Sequence, residues 1–212
     1  MGPAKLREIL SLPFFYNALQ YSIGVPRQRE YLVRRFVRPR KGDRILDIGC
    51  GTADVLIHLE PFDIRYTGID PNEAYVAHAQ QRWGDDARYE FRVAAVGTNP
   101  PPPVDADAYD TVIAFGVMHH LTDGQVRELL RLAAHGLRPG GRLVTMDPCR
   151  LPDMNIVERL AVRYDRGACI REASDYEALV KAEFPSATYS IRAMARVPSR
   201  AVVFVGEAAA RG

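Results

Sequence analysis

The chain has 212 residues, of which 47% are hydrophobic and 25% charged, and its formal net charge is +2. This composition suits one soluble globular domain with a sizeable core, and the small net charge gives no electrostatic reason to expect a nucleic acid or a membrane surface as partner. No apolar run approaches the ~20 residues of a transmembrane helix, so no membrane span is expected.

The cysteines and the first residues indicate the compartment. Cys50, Cys149 and Cys169 are odd in number and lack the spacing of a metal site, which predicts a reducing environment, no disulfide framework and no bound metal. The N-terminus does not resemble a signal peptide. A cytoplasmic protein is therefore expected.

The first part of the chain is predicted to be helical. Apolar and aromatic residues recur at spacings of three and four over residues 5–24, including Tyr16 and Tyr21, which predicts one or two helices broken near Pro13. Another helix is predicted over Arg27–Val37.

Basic residues are concentrated between Arg27 and Arg44, where eight Lys and Arg side chains accompany two acids. These side chains would suit the binding of an anionic substrate or of RNA. Because no aromatic residues are interleaved as in a nucleic-acid track, a solvated helix face is the favoured interpretation.

A nucleotide pocket is predicted at Arg44–Ala53. An apolar run interrupted by Asp47 predicts a buried strand, which is followed by a turn on Gly49 and Gly51 and then by a helical pattern. The glycines let a ligand approach the backbone, and Asp47 at the end of the strand can accept hydrogen bonds from a cationic or amino-bearing ligand.

A second buried strand, Arg65–Asp70, also ends in an acid. Asp70 follows Asp47 at about the 20-residue distance at which an acid binds ribose hydroxyls. Asn72 is predicted to cap the helix Glu73–Trp83. A third strand is predicted over Tyr89–Ala95.

The fourth strand is predicted over Tyr109–Phe115, and Gly116 and the pair His119–His120 follow at its carboxyl end. The helix Asp123–His135 comes next. A glycine turn then leads into a fifth strand that ends at Asp147, on the side where open α/β sheets bind ligands.

The connection Pro148–Ala173 is long for a compact domain, and such connections are usually functional or mobile. Three residues in it could hold a polar substrate: Asp165, Arg166 and Arg171. An arginine fork suits a carboxylate or a phosphate. An internal ion-pair network that fixes the loop is an equally good interpretation. The chain then predicts a helix from a Ser174 cap to Phe184, and two closing strands over 188–196 and 201–207.

These motifs resemble those of class I S-adenosylmethionine (SAM) dependent methyltransferases. The first motif of that family reads Leu-Asp-Ile-Gly-Cys-Gly-Thr-Gly, and here Ala53 replaces the last glycine, a mild departure. A dinucleotide-binding Rossmann turn is the alternative, but the third glycine is missing at the Rossmann spacing. The acid after the second strand and the Leu-x-Pro-Gly-Gly turn before the fifth are further matches, and the likeness covers roughly residues 40–207.

The resemblance implies an α/β fold: a Rossmann-like, doubly wound, seven-stranded, mostly parallel sheet with an antiparallel last strand, preceded by an N-terminal helical segment. It implies two parts, a lid or packing segment over residues 1–39 and the SAM-binding domain over residues 40–212. In many relatives such a first segment closes over cofactor and acceptor, whereas plain packing against the sheet is the alternative.

The resemblance also implies the site residues, with SAM as cofactor and S-adenosylhomocysteine as product. The third strand lacks the acid that binds adenine in many relatives, and Ala94 and Ala95 stand there. Their backbone groups would bind the adenine, or Asp107 or another loop residue would replace the acid. The implied cofactor-binding residues are Asp47, Gly49, Cys50, Gly51, Asp70, Pro71, Asn72, Ala94, Ala95, Phe115 and Gly116. The implied catalytic residues are His119 and His120, of which at least one acts as base or positions the acceptor. The alternative for either histidine is a structural role, capping the following helix or packing under Leu121. The implied substrate-binding residues are Tyr16, Tyr21, Asp147, Asp165, Arg166 and Arg171.

The expected reaction is methyl transfer to an O or N atom of a small molecule, a sugar or a lipid-linked metabolite. The sequence lacks the Asn/Asp-Pro-Pro-Tyr motif of base amino methylation after the fourth strand. Cys149 lacks the context of a catalytic cysteine and is better explained as a small buried hydrophobe. An RNA or protein methyltransferase and a catalytically silent SAM-binding partner are the alternatives. A monomer or homodimer is expected.

Overall fold

A computed structural model of the chain describes residues 25–98, 102–165, 167–194 and 198–209. The helices predicted within residues 5–24, with the candidate residues Tyr16 and Tyr21, lie outside the described residues. Arg166 lies outside them as well.

Seven strands form one sheet in the order β3-β2-β1-β4-β5-β7-β6. The first five strands run parallel, whereas β7 pairs antiparallel with β5 and with β6. The strands are β1 Arg44–Ile48, β2 Arg65–Asp70, β3 Tyr89–Val93, β4 Tyr109–Phe115, β5 Leu137–Pro148, β6 Thr188–Ala193 and β7 Arg200–Glu207. The predicted fold class is confirmed.

Six α-helices connect these strands in the described part of the chain. They are α1 Val25–Leu32, α2 Leu56–Leu59, α3 Glu73–Trp83, α4 Asp123–Gly136, α5 Ile156–Arg163 and α6 Ala173–Glu183. The first helix continues as a π-helical turn, Val33–Val37, and His119 and His120 lie in a 3-10 turn, Met118–His120. None of the described helices is long and apolar enough to cross a bilayer.

Buried side chains form a core on each face of the sheet. On one face the sheet packs against α1, α2 and α3, through residues that include Leu32, Leu56 and Val76. On the other face it packs against α4 and α6, through residues that include Leu129 and Tyr176. Because both faces are covered, the inner parallel strands are mostly apolar, and Asp47, Asp70 and Asp147 lie near their carboxyl ends.

The observed elements differ from the predicted ones in several places. The helix predicted over Arg27–Val37 is an α-helix over Val25–Leu32 and then a π-helical turn, and the strand predicted over 188–196 ends at Ala193. The connection after β5 contains a helix, α5, whose N-terminus is a capping box between Asn155 and Glu158. Glu172, not Ser174, stands at the N-cap of α6, although its side chain makes no capping bond. The third strand ends at Val93, since the chain leaves the sheet where Ala94 N donates to Asp70 O.

Candidate active site

The turn after β1 is tightly packed at the carboxyl edge of the sheet. Gly49 and Gly51 have φ angles of 79° and 56°, in the left-handed region that favours glycine. A Cβ on Gly49 would lie 2.5 Å from the side chain of Val117, just after β4. The turn after β1 is therefore pressed against the segment that leads to His119.

Ala53, where the family has glycine, also has a positive φ of 55°. The departure was expected to be mild. Because a side chain in the left-handed region costs roughly 1–2 kcal/mol, the replacement instead leaves a strained residue next to the turn.

Asp47 is a buried acid at the end of β1. The hydroxyl of Tyr66 donates to its Oδ2 at 2.6 Å. Burial raises the pKa of Asp47 to about 7, although the Tyr66 bond and the nearby charge of Arg29 act in the opposite direction. Near neutral pH a cationic ligand would therefore draw this carboxyl into its charged form.

Asp70 is held in place by two backbone donors. Gly51 N donates to Oδ2 at 2.9 Å and Asn72 N donates to Oδ1 at 2.8 Å. Burial raises the pKa of this carboxyl, and the two backbone bonds oppose the shift. Each oxygen keeps a further lone pair, so the carboxylate is preoriented to accept two more hydrogen bonds.

The other predicted cofactor residues lie along the same edge of the sheet. Asn72 caps α3 through its side chain, as predicted, and Pro71 beside it is exposed. The Cys50 thiol is buried, and a Cβ on Gly68 would lie 2.9 Å from it, so Cys50 offers a ligand its backbone rather than its sulfur. Ala94 and Ala95 are half-buried.

Phe115 and Gly116 bring the end of β4 to the same place. Gly116 N donates to Met146 O at 2.7 Å, which keeps β4 beside β5 beyond the last ladder pair. Gly116 has a φ of 72°, and a Cβ there would lie 3.7 Å from the His119 ring. The ring thus stands directly beside the end of β4.

His119 is bonded to the acid at the end of β5. Its Nδ1 lies 2.8 Å from Asp147 Oδ1, and its backbone N donates to the same oxygen at 3.1 Å. Asp147 is 0% exposed and His119 is 7% exposed. Burial raises the pKa of Asp147, although the contacts with His119 oppose the shift. A carboxylate at this position selects the tautomer that carries its proton on Nδ1 and leaves Nε2 as the acceptor.

The segment after α5 covers the outer side of this imidazole. His119 Nε2 lies 3.6 Å from Asp165 Oδ1, and Gly167 N donates to the same Asp165 oxygen at 2.7 Å. A Cβ on Gly167 would overlap the His119 ring, so only glycine fits there. Cys169 N donates to His119 O at 2.9 Å. Asp165 is therefore the predicted acceptor residue that the structure brings to His119.

The rings of the two histidines lie against each other. Successive helical positions are separated by about 100°, which would turn one ring away from the other. The ring centroids of His119 and His120 are nevertheless 3.9 Å apart, and the rings are tilted by 40° to each other. They differ in burial, since His120 is exposed.

Two residues that were predicted to bind the methyl acceptor have other roles in the structure. Asp147 is fully buried behind His119 and has no surface for an acceptor. Arg171 was proposed as an acceptor fork, but its Nε and Nη2 bind Asp123, its Nη1 donates to the carbonyls of Met118 and Cys169, and its Nη2 donates to that of Leu121. These donors join the histidine turn and the start of α4 to the segment that carries Cys169. The internal network is the interpretation that fits Arg171.

Sequence reasoning missed the residues that surround Asp47. Tyr66 was read only as part of a strand, and Arg29 only as one of the basic residues of α1. Arg29 lies 3.7 Å from Asp54, which Arg82 contacts at 2.7 Å. Asp54 follows the glycine turn, so the sequence could have singled it out. Nothing in the neighbouring sequence indicated that Arg29 and Arg82 are its partners. Of the described residues, no group of three His, Cys, Asp or Glu side chains could hold a metal.

Comparisons with known proteins agree with this architecture. Residues 46–143 match a family described as a methyltransferase domain. The 27-O-demethylrifamycin SV methyltransferase of Amycolatopsis mediterranei is 38% identical over 117 residues, 53% of this chain and 41% of the relative. Phosphoethanolamine N-methyltransferase 1 of Arabidopsis thaliana is 26% identical over 160 residues, 74% of this chain and 31% of the relative. The chain therefore spans less than half the length of either relative.

The solved structure of Haemonchus contortus phosphoethanolamine N-methyltransferase 2 with S-adenosyl-L-methionine has a TM-score of 0.76 and 15% identity, over 96% of this chain and 60% of that chain. At this identity the likeness shows the fold. The matched methyltransferase domain and the two relatives named as methyltransferases support the class I SAM-dependent methyltransferase superfamily that the sequence motifs predict. The predicted class is confirmed, and SAM is the cofactor of this enzyme superfamily.

Proposed function

We propose that this protein transfers the methyl group of SAM to an O or N atom of a small molecule. The observation that carries the proposal is the grouping of three features at one edge of the sheet. These are the preoriented carboxylate of Asp70, the carboxyl of Asp47 with its pKa of about 7, and the His119–Asp147 pair.

The polar groups after β1 and β2 fit the two polar ends of SAM. Asp70 would accept the two ribose hydroxyls, since one carboxylate suits hydroxyls on adjacent carbons. Asp47 would accept the amino group, whose positive charge offsets the burial of the carboxylate. The backbone of Ala94 and Ala95 stands where many relatives have the adenine-binding acid. When bound, SAM supplies a methyl carbon that is already electrophilic, so the protein has mainly to align an acceptor and remove its proton.

The proposed base is His119 Nε2. Asp147 keeps the proton on Nδ1, which leaves the Nε2 lone pair free to take a proton from an acceptor O–H or N–H. The imidazolium that forms then lies between the carboxylates of Asp147 and Asp165, at 2.8 and 3.6 Å, and both stabilise its charge.

The acceptor side is proposed to lie along α5. This helix leads directly into Asp165, and its outer face is apolar, with Ile156 70% exposed and Tyr164 79% exposed. Exposed apolar residues on the segment that leads to Asp165 favour an acceptor with an apolar part over a bare sugar. The names of the two relatives include oxygen and nitrogen acceptors, so both atoms remain in the proposal.

Two alternative functions make different predictions. An RNA or protein methyltransferase would use the basic residues of α1 and the π-helical turn after it, yet Arg29 and Arg34 there are paired with Asp54 and Glu30. A silent SAM-binding partner would have no use for a histidine held by a buried acid. Methyl transfer to a small molecule accounts for both observations.

The test combines calorimetry with an acceptor screen. SAM and S-adenosylhomocysteine should bind with micromolar dissociation constants, whereas NAD should not bind. Asp70→Ala should weaken SAM by about 1.5–3 kcal/mol, as expected for charged hydrogen bonds. Formation of S-adenosylhomocysteine should then depend on an apolar O–H or N–H acceptor. Turnover on RNA or protein alone would support the first alternative, and binding without turnover on any acceptor would support the second.

A further inference from the structure

One cavity shares none of its lining residues with the proposed active site. It measures about 300 Å³ and is lined by the end of the π-helical turn and by the β6–β7 hairpin. Its lining follows β7 from Glu207, which pairs with Arg142, to Val203, which pairs with Met146 beside Asp147.

The cavity has an apolar floor and a cationic wall. Val203 and Val205, alternate residues on one face of β7, form the floor. The wall contains four arginines, which are Arg35, Arg38, Arg142 and Arg192. Of the described residues that line the cavity, Glu207 alone is acidic, so the local charge of the lining is strongly positive.

Three of these arginines are ordered by contacts other than carboxylates. Arg142 Nη1 donates to Phe36 O at 3.1 Å and to Val37 O at 3.4 Å. The guanidinium carbons of Arg35 and Arg192 lie 5.5 and 5.9 Å from the centre of the Phe36 ring. Such cation–π contacts fix guanidinium groups without neutralising their charge. The cavity therefore holds like charges close together in a defined arrangement.

We propose that this cavity binds a soluble organic phosphate, with its anionic group held by Arg35 and Arg192 and its apolar part on Val203 and Val205. Guanidinium forks match the oxygens of phosphate in a bidentate manner. A dianion offsets the repulsion among the clustered arginines, which a neutral ligand cannot do. The concave shape favours a small soluble ligand over a flat membrane surface.

Pyrophosphate is the probe that tests this site. In calorimetric titrations of the full chain at about 0.15 M ionic strength, where surface charges are screened, it should bind saturably with a dissociation constant below about 1 mM. The double variant Arg35→Gln/Arg192→Gln should bind at least about tenfold more weakly, since two charge-assisted contacts are lost. Arg127→Gln, which removes a charge from an exposed position on α4 outside the cavity, is the matched control and should bind like the wild type.

Two further measurements check that the variants are folded and that the phosphate group belongs to a soluble ligand rather than to a lipid. SAM affinity should be equal in the wild type and in both variants, which keeps this test independent of the proposed methyl transfer. The protein should not co-sediment with vesicles that contain phosphatidic acid. Absence of saturable pyrophosphate binding, equal binding by the double variant, or binding to vesicles but not to pyrophosphate would each overturn the proposal.

Discussion

The carboxylate of Asp147 makes two contacts with His119 through one oxygen, at 2.8 Å from Nδ1 and 3.1 Å from the backbone N. Asn at position 147 could still accept both bonds, but it would remove the negative charge that stabilises an imidazolium. Asp147→Asn should therefore lower kcat by about 10²-fold while SAM affinity is kept. Steady-state kinetics and calorimetry provide the two readouts. An unchanged kcat would show that Asp147 only packs beneath the histidine.

SAM binding should depend on pH through Asp47. Because the pKa of this carboxyl is about 7 in the free protein, binding of a cationic amino group requires loss of a proton at lower pH. Affinity should rise by about tenfold per pH unit up to about pH 7 and then level off. In Asp47→Asn, affinity should be low and this dependence largely lost. Calorimetry in buffers of different ionisation enthalpy would detect the released proton; equal proton release in the variant would contradict the assignment.

The same carboxyl should destabilise the free protein as pH rises. Its pKa is raised on folding from 3.8 to about 7, so the folded state binds the proton more tightly and stability is lost between about pH 4 and about pH 7. Asp47→Asn keeps an acceptor for Tyr66 and has no charge to bury. The variant should gain stability relative to the wild type across this interval. Urea unfolding at several pH values measures the difference, and a constant difference would refute the raised pKa.

Arg171 should stabilise the fold by holding the histidine turn. Arg171→Lys loses the fork that binds Asp123, Met118 O and Leu121 O, which should lower the free energy of unfolding by about 2 kcal/mol or more. Arg131→Lys is the control, because Arg131 makes an exposed pair with Glu183 and its replacement should cost less than about 1 kcal/mol. Equal losses in thermal or urea unfolding would argue against this role.

Asp165 should act on the acceptor and not on SAM. Asp165→Asn keeps an oxygen for Gly167 N but removes the charge beside His119 Nε2. We expect kcat/KM for the acceptor to fall by roughly tenfold, with SAM affinity unchanged. If SAM binding collapsed in a folded variant, the segment after α5 would belong to the cofactor side instead.

Local sequence signals predicted much of the fold. The strands β2 and β4 and the helix α3 have their predicted bounds, since each is a clear apolar pattern with a marked end. The helix α5 was missed because its connection was judged by length alone. Its capping box at Asn155 was visible, but its apolar residues face outwards and gave no core pattern to recognise.

The candidate site was only partly predictable, for a physical reason. The acids at strand ends and the histidine pair lie in short motifs, so they could be named from the sequence. Their partners come from distant parts of the chain. Arg171 reaches the carbonyl of Leu121 across 50 residues, and Tyr66 reaches Asp47 from the neighbouring strand. Such contacts follow from strand order and helix packing, which no local pattern contains.

The most direct test of the account compares kcat against pH for His119→Gln and His120→Gln, on an acceptor found by the screen. The account predicts that His119→Gln loses about 10²-fold or more in kcat together with the acidic limb of the profile, while SAM affinity stays at the wild-type value. His120→Gln should keep the shape of the profile, because the His120 ring is the exposed one of the pair. A His119→Gln enzyme with the wild-type rate and pH profile would contradict the account, and would leave the His119–Asp147 pair a structural feature of the turn.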